Sequence, residues 1–170
     1  KNKSKETKNA LIMDTSYFNS PIGWMEIKTT NDVLTGLHFI DSPKNKQSPL
    51  KKINLEIEVQ LENYFKHKPI KFNFSIAPQG TPFQNKIWGL VSQIKPGKTL
   101  SYAEIAEKYG NKKAIRAIGS AIGKNPVMIF IPCHRVIGSN GSMVGYAGGI
   151  TNKKWLLEHE GFPIQKSLNL

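Results

Sequence analysis

Two tetrapeptides constrain the second half of this chain more than anything else in it: Thr81-Pro82-Phe83-Gln84 and Ser101-Tyr102-Ala103-Glu104. Each places a hydroxyl side chain three residues before a Gln or Glu, the spacing at which cap and third residue satisfy each other's backbone N–H groups at a helix start. Pro82 falls at the first helical position, where a backbone N–H is not needed. After the first box, Phe83, Ile87, Leu90, Val91 and Ile94 mark one buried face, and Lys95-Pro96-Gly97-Lys98 ends the helix. The second box opens a helix to Tyr109, and Gly110-Asn111 turns the chain into a third helix over 112–123. Two short helices joined by a glycine-containing turn form a helix-turn-helix pattern. A last helix starts near Thr151 and stops at Gly161.

The first half reads differently. Residues 11–19, 22–30 and 33–41 alternate like strands and are separated by Ser-Pro and Asn-Asp turn signals, which predicts an antiparallel meander. Ile53, Ile57, Leu61, Tyr64 and Phe65 recur at helical spacing, so 50–67 is an amphipathic helix. Residues 70–76 alternate like a short strand, and Ala77-Pro78-Gln79-Gly80 then breaks the chain. The expected class is α/β, with an N-terminal meander and helix over 1–78 and a mostly helical unit over 79–170. Residues 1–10 are polar and basic, predict a disordered arm, and lack the apolar stretch of a secretory signal. The longest apolar run, Val127–Ile131, is too short to span a bilayer.

Charge narrows the partner. The formal net charge is +12, and residues 81–170 hold 12 bases against four acids. Between Glu107 and Glu158 there is no acid, but there are eight bases: Lys108, Lys112, Lys113, Arg116, Lys124, Arg135, Lys153 and Lys154. Such a stretch points to a polyanion, most simply nucleic acid. Arg116 and Arg135 are the only arginines in a lysine-rich chain, which suggests sites that need a planar guanidinium. On the third helix Ile115, Ile118 and Ile122 share the core face, while Lys113, Arg116, Ala117, Ser120 and Lys124 share the opposite one. For an isolated helix that outer face is merely solvated. Small side chains between cations, behind a capped helix and a tight turn, favour docking on DNA. A regulator would carry the same face as readily as an enzyme.

Cys133 separates the two. As the only cysteine it excludes an intrachain disulfide and any zinc site built on a cysteine pair, and it implies a reducing, cytoplasmic compartment. A lone cysteine after an apolar run usually packs inertly. Here Pro132 fixes the backbone before it, His134 and Arg135 follow, and a glycine-rich segment over 138–149 lets a ligand approach backbone. Electropositive neighbours lower a thiol's pKa and create the reactive thiolate. Adjacent residues of extended chain point apart, so His134 is expected to act through a water and to be oriented by a carboxylate, for which Glu160 is the candidate. His38, His67 and His159 read as structural or surface residues.

The segments "TPFQNKIW", "SYAEIA", "RAIGSAIGKNP", "KNPVMIFIPCHRV", "GYAGG" and "KKWLLEHEG" resemble, in order from Thr81 to Gly161, the O6-alkylguanine-DNA alkyltransferases, also called methylated-DNA–protein-cysteine methyltransferases. "IPCHRV" at 131–136 resembles their active-site signature, and the N-terminal unit matches only loosely. The resemblance implies a ribonuclease-H-like N-terminal unit and a winged-helix-like C-terminal one. It further implies docking in the minor groove of duplex DNA carrying O6-alkylguanine, with O4-alkylthymine as a second lesion, by a monomeric protein. Arg116 would enter the base stack, Tyr102 would swing the nucleotide out, and Lys113, Ala117 and Ser120 would face the DNA. Cys133 would take the alkyl group in a single irreversible event, with Glu160, His134 and a water relaying its proton. Tyr102 would bond the guanine ring and protonate the leaving base, and Asn125 would brace the cysteine turn. Tyr146, the Ala147 N–H and Gly148 would line the pocket, and the Cys133 and Val136 carbonyls would receive the exocyclic amine. Position 147 is serine in some relatives, but a backbone contact survives alanine.

No metal and no cofactor are expected, since the zinc site of some relatives needs cysteines absent here. The glycine segment also lacks the G-x-G-x-x-G spacing of a nucleotide-binding turn, which argues against a nucleotide-like methyl donor. Three other classes compete. A non-reactive lesion sensor typically lacks the cysteine, a plain helix-turn-helix regulator has no need of Pro-Cys-His-Arg, and a cysteine hydrolase would need an oxyanion hole for which there is no obvious design.

Overall fold

The computed structural model describes residues 10–164, so the expected disordered arm lies outside them except for Ala10. Strands β1 (Met13–Ser20), β2 (Gly23–Thr30) and β3 (Val33–Ile40) form the antiparallel meander in the order β1-β2-β3. Asn31 and Asp32 take φ of 50° and 60°, the left-handed pair that a tight two-residue hairpin requires. Met25 and Ile27 face the core from β2. In β3 the inward residues are Leu34 and Leu37, three apart, because a bulge opposite Lys28/Thr29 leaves Thr35 without a partner. Helix α1 (Lys52–Phe65) covers the sheet with Ile53, Ile57, Leu61 and Tyr64, all buried.

The strand expected over 70–76 does not form. Only Ile76 bridges β3, at Leu34, and the next contact on that side is a second single bridge between Leu37 and Val127. The outer side of β3 is thus shared by two passing segments, and neither has room for a ladder. Phe72 and Phe74 instead pack their rings against Phe130.

Beyond the break come α2 (Pro82–Val91), β4 (Leu100–Ser101), α3 (Tyr102–Tyr109), a 3-10 turn at Lys112–Ala114 and α4 (Ile115–Gly123). A second 3-10 turn at Cys133–Arg135, β5 (Val136–Ile137) and α5 (Ile150–His159) follow. Both capping boxes close: Gln84 N donates to Thr81 Oγ1 at 3.1 Å and Thr81 N to Gln84 Oε1 at 2.9 Å, while Ser101 and Glu104 exchange bonds of 2.6 and 3.1 Å. Gly110, at φ 93°, ends α3 in the left-handed conformation that suits glycine. Trp88 Nε1 donates to the Ala121 carbonyl at 2.8 Å and ties α2 to α4.

One expected core residue lies outside. The buried face of α4 is Ile118, Ala121 and Ile122, whereas Ile115 is 42% exposed. Ile115 is the first α-helical residue after the 3-10 turn and sits roughly 70° from the centre of that face. The parallel pair β4–β5, two residues each, was too short to show in the sequence pattern. It sets Ser101, and with it the start of α3, directly beside the chain that leaves Cys133. Buried residues from both halves form one continuous core. Among the described residues no helix is long and apolar enough to cross a membrane.

A candidate active site around Cys133

The chain reaches Cys133 through a clamped, buried approach. Leu37 N donates to the Pro126 carbonyl at 2.8 Å and Met128 N to the Leu37 carbonyl at 2.9 Å, so β3 grips residues 126–128 from both sides. Ile129 takes φ 70°, a left-handed conformation costing a β-branched residue about 1–3 kcal/mol. Bonds from Ile131 N to the Val127 carbonyl and from Phe130 N to the Met128 carbonyl hold it there. Asn125, itself buried, closes the loop. Its Oδ1 accepts from Val127 N at 2.9 Å, and its Nδ2 donates to the Ile131 carbonyl at 2.8 Å and to Cys133 Sγ at 3.0 Å.

Cys133 is 5% exposed, and the state of its thiol differs from the expectation of a lowered pKa. Burial pushes the thiol up, against the opposing pull of the Asn125 bond and the Lys153 charge. The reason is where the neighbouring cation goes. Arg135 turns away from the sulfur: Nε donates to Glu160 Oε2 at 2.9 Å, Nη2 to Glu160 Oε1 at 2.8 Å, and Nη1 to the Ile94 carbonyl.

His134 is fully buried, and its Nε2 lies 2.7 Å from the same Glu160 Oε1. Tyr64, from α1, donates its hydroxyl to that oxygen at 2.8 Å. The Glu160 side chain is only 2% exposed. Burial alone would raise its pKa, but the hydrogen bonds from His134 and Arg135, with the Arg135 charge, hold it down at about 2. An ionised carboxylate only accepts, so His134 must present Nε2–H to it. Burial, joined by the Arg135 and Lys153 charges, lowers the His134 pKa against the pull of Glu160, which leaves the ring neutral. Nδ1 then carries a free lone pair, and it is buried with no hydrogen-bond partner among the described residues. That nitrogen is able to accept a proton.

Lys153 is a residue that sequence reasoning missed. Its side chain is fully buried, and Nζ donates to the Val136 carbonyl at 2.6 Å and the Val144 carbonyl at 3.0 Å. Burial lowers its pKa to about 8, with Cys133 pulling the other way. Lys153 and Arg135 therefore leave the set of eight bases proposed to face a polyanion; Lys108, Lys112, Lys113, Arg116, Lys124 and Lys154 remain exposed. The sequence did hold a signal, since Lys153 precedes the buried Leu156 and Leu157 at i+3 and i+4 on α5.

The remaining candidates fall into two groups. Tyr102 donates its hydroxyl to the Val144 carbonyl at 3.3 Å, and burial together with the nearby Cys133 keeps that hydroxyl protonated. Val136 and Tyr146 are buried; the Tyr146 hydroxyl has no partner among the described residues, and its ring lies 6.4 Å from that of His134. Ala147 is exposed, and Gly148 cannot be enlarged, since a Cβ there would lie 2.7 Å from the Tyr146 ring and 2.8 Å from Phe39. Lys113 in the 3-10 turn, Arg116, Ala117 and Ser120 on α4, and Lys124 just past its end are all exposed, away from the core face. Gly119 lies against the Tyr102 ring, so this surface adjoins the Tyr102 side of the site.

Residues 82–162 match the family described as 6-O-methylguanine DNA methyltransferase, DNA binding domain. The methylated-DNA–protein-cysteine methyltransferase of Methanosarcina acetivorans is 40% identical over 149 residues, covering 85% of this chain and 96% of that protein. That of Mycobacterium leprae is 38% identical over 156 residues, covering 89% and 94%. The crystal structure of Mycobacterium tuberculosis O6-methylguanine methyltransferase superposes with a TM-score of 0.79 at 34% identity, over 91% of this chain and 97% of that one. Mycobacterium tuberculosis OGT in complex with DNA gives 0.76 at 38% identity, over 85% and 90%.

The Glu160 cluster makes a pH test. With its folded-state pKa at about 2, below the ordinary value of 4.5, its contribution is fully present above pH 4.5 and is lost as pH falls through 2. At neutral pH that contribution is on the order of 3 kcal/mol. Urea denaturation across pH should show Glu160→Gln less stable at pH 7, with a shallower loss of stability between pH 4.5 and 2 than the wild type. Parallel pH dependences would mean that Glu160 is not held ionised as described.

Proposed function

The chain belongs to the methylated-DNA–protein-cysteine methyltransferase family, and from that premise we propose how its own residues perform the reaction. It is a direct-reversal DNA repair protein, which binds DNA carrying O6-alkylguanine and removes the alkyl group by transfer to a cysteine of its own.

One observation carries the assignment of roles: His134 gives Nε2–H to an ionised Glu160 and keeps a bare Nδ1, beside a buried neutral thiol. The Cys133 proton passes through one bridging water to His134 Nδ1. The thiolate sulfur attacks the alkyl carbon, the bond from that carbon to O6 breaks, and its electron pair stays with guanine. Tyr102 bonds the guanine ring and supplies the proton for the departing base. The product is a thioether with no easy reversal, so each protein acts once. A lesion sensor that only binds has no use for this proton path.

A base inside duplex DNA must be extruded before Cys133 can reach it. The exposed face of α4 docks the minor groove, Lys113, Ala117 and Ser120 face the DNA, and Arg116 fills the gap left by the base. Asn125 braces the turn, while Tyr146, the Ala147 N–H and Gly148 surround the extruded base. The Val136 carbonyl already accepts from Lys153, but a carbonyl has two lone pairs, so one remains for the exocyclic amine alongside the Cys133 carbonyl. The same reading divides the chain into residues 1–78 and 79–170, makes O4-alkylthymine a second substrate, and places a monomer in the cytoplasm, where a free thiol survives.

Intact-mass spectrometry after incubation with an O6-methylguanine duplex should show one added methyl per protein, mapped to Cys133, and none on Cys133→Ser. Several turnovers per molecule, or a methyl on another residue, would sink the mechanism. Arg116 has its own test, because lysine's flexible point charge cannot stack in a vacated base position. Extrusion costs a few kcal/mol, so Arg116→Lys should slow transfer from the duplex by about 10- to 100-fold. Its reaction with a free O6-alkylguanine base should stay within about twofold of wild type. Equal slowing of both reactions would make Arg116 a support of the pocket rather than the residue that displaces the base.

A further inference from the structure

We infer that Tyr64 is a positioning residue for alkyl transfer: its hydroxyl holds the Glu160 carboxylate and, through it, keeps His134 in the form that accepts a proton. The inference rests on the roles proposed for Cys133, His134 and Glu160, and it extends them to α1, which carries neither the nucleophile nor the DNA-facing surface.

Tyr64 and Glu160 are 96 residues apart in sequence, yet helices α1 and α5 meet twice at this one tyrosine. The Tyr64 carbonyl lies 2.8 Å from His159 Nε2, and the Tyr64 hydroxyl donates to the next residue, Glu160. The ring packs edge-on to Phe65 at 5.1 Å and tilted to His159 at 5.2 Å. Those contacts need only a ring, and phenylalanine would make them. The hydroxyl is an added polar group in a buried place, where it costs stability unless paired. Its partner is the oxygen that also receives His134.

Three donors converge on Glu160 Oε1: Tyr64 Oη at 2.8 Å, His134 Nε2 at 2.7 Å and Arg135 Nη2 at 2.8 Å. Arg135 is anchored independently by the Ile94 carbonyl, so Tyr64 is the contact that comes from α1. Each donor draws on the negative charge of the shared oxygen. The more of that charge Tyr64 takes, the less Oε1 can stabilise a protonated His134 ring. Burial and the adjacent carboxylate keep the phenol itself protonated, so it remains a donor throughout the working pH range. The other groups facing His134 and Glu160 are Arg135 and Cys133 on the same turn, Lys153 and His159 on α5, and Tyr146. None of them is altered by removing one hydroxyl from α1.

The test is single-turnover methyl transfer from an O6-methylguanine duplex, with protein saturating, from pH 5 to 9. Below its acid limb the rate is set by the fraction of His134 that is neutral. In Tyr64→Phe that limb should move up by about half to one pH unit, as expected when one hydrogen bond to a charged group is lost and part of it is felt at the imidazole. On the acid side the rate then falls about three- to tenfold, more than on the plateau. An unchanged profile, or a drop of equal size at every pH, would overturn the inference, the latter being what general loosening of the fold produces. In a Glu160→Gln background, Tyr64→Phe should move the limb no further; a second shift of the same size would place its action elsewhere. Absence of any transfer by the wild type would overturn the underlying roles and this inference with them. That outcome is distinct from normal transfer with a Tyr64→Phe profile that coincides with wild type.

Discussion

The rest of the site depends on one buried carboxylate. Removing an ionised group from water costs several kcal/mol unless close, well-aimed donors replace the solvent. Glu160 also sits at the C-terminal end of α5, where the helix dipole disfavours negative charge. It is tolerated because Tyr64, His134 and Arg135 together fill both of its oxygens. The Arg135 fork bonds Oε1 and Oε2 at once and still reaches the Ile94 carbonyl, a geometry that lysine's point charge lacks. One side chain thereby fixes the end of α5, the turn after Cys133 and the end of α1.

That arrangement decides the resting chemistry of the thiol. With Arg135 committed to Glu160, the cation whose charge still acts on Cys133 is Lys153, and its ammonium is bound to two carbonyls. Burial wins, and the site rests as a neutral thiol beside a neutral imidazole. A permanently ionised cysteine would be open to oxidants. A protein able to react once benefits from a nucleophile that forms only when its proton has somewhere to go.

How much of this was legible in the sequence follows from how local each signal is. The capping boxes, the Asn31-Asp32 hairpin and the exposed face of α4 are written in residues a few positions apart, and all appear as the sequence suggests. The strand over 70–76 failed because its formation depended on what else would occupy the side of β3, and Val127 comes from a distant part of the chain. Arg135 and Lys153 were counted as surface charge because a composition argument cannot see that each is buried against carbonyls or a carboxylate. Tyr64 looked like one more apolar position of an amphipathic helix. Nothing near it in sequence indicates that its hydroxyl meets Glu160, and only the packing of α1 against α5 brings the two together.

The central claim is that a neutral His134, tied through Nε2–H to an ionised Glu160, is the base that activates Cys133. The most direct measurement is the nitrogen-15 NMR spectrum of the His134 imidazole in the unreacted protein at pH 7. The expected result is a protonated Nε2 and a pyridine-like Nδ1. A protonated Nδ1, whether in the opposite tautomer or in an imidazolium, would leave Cys133 without its base and contradict the claim.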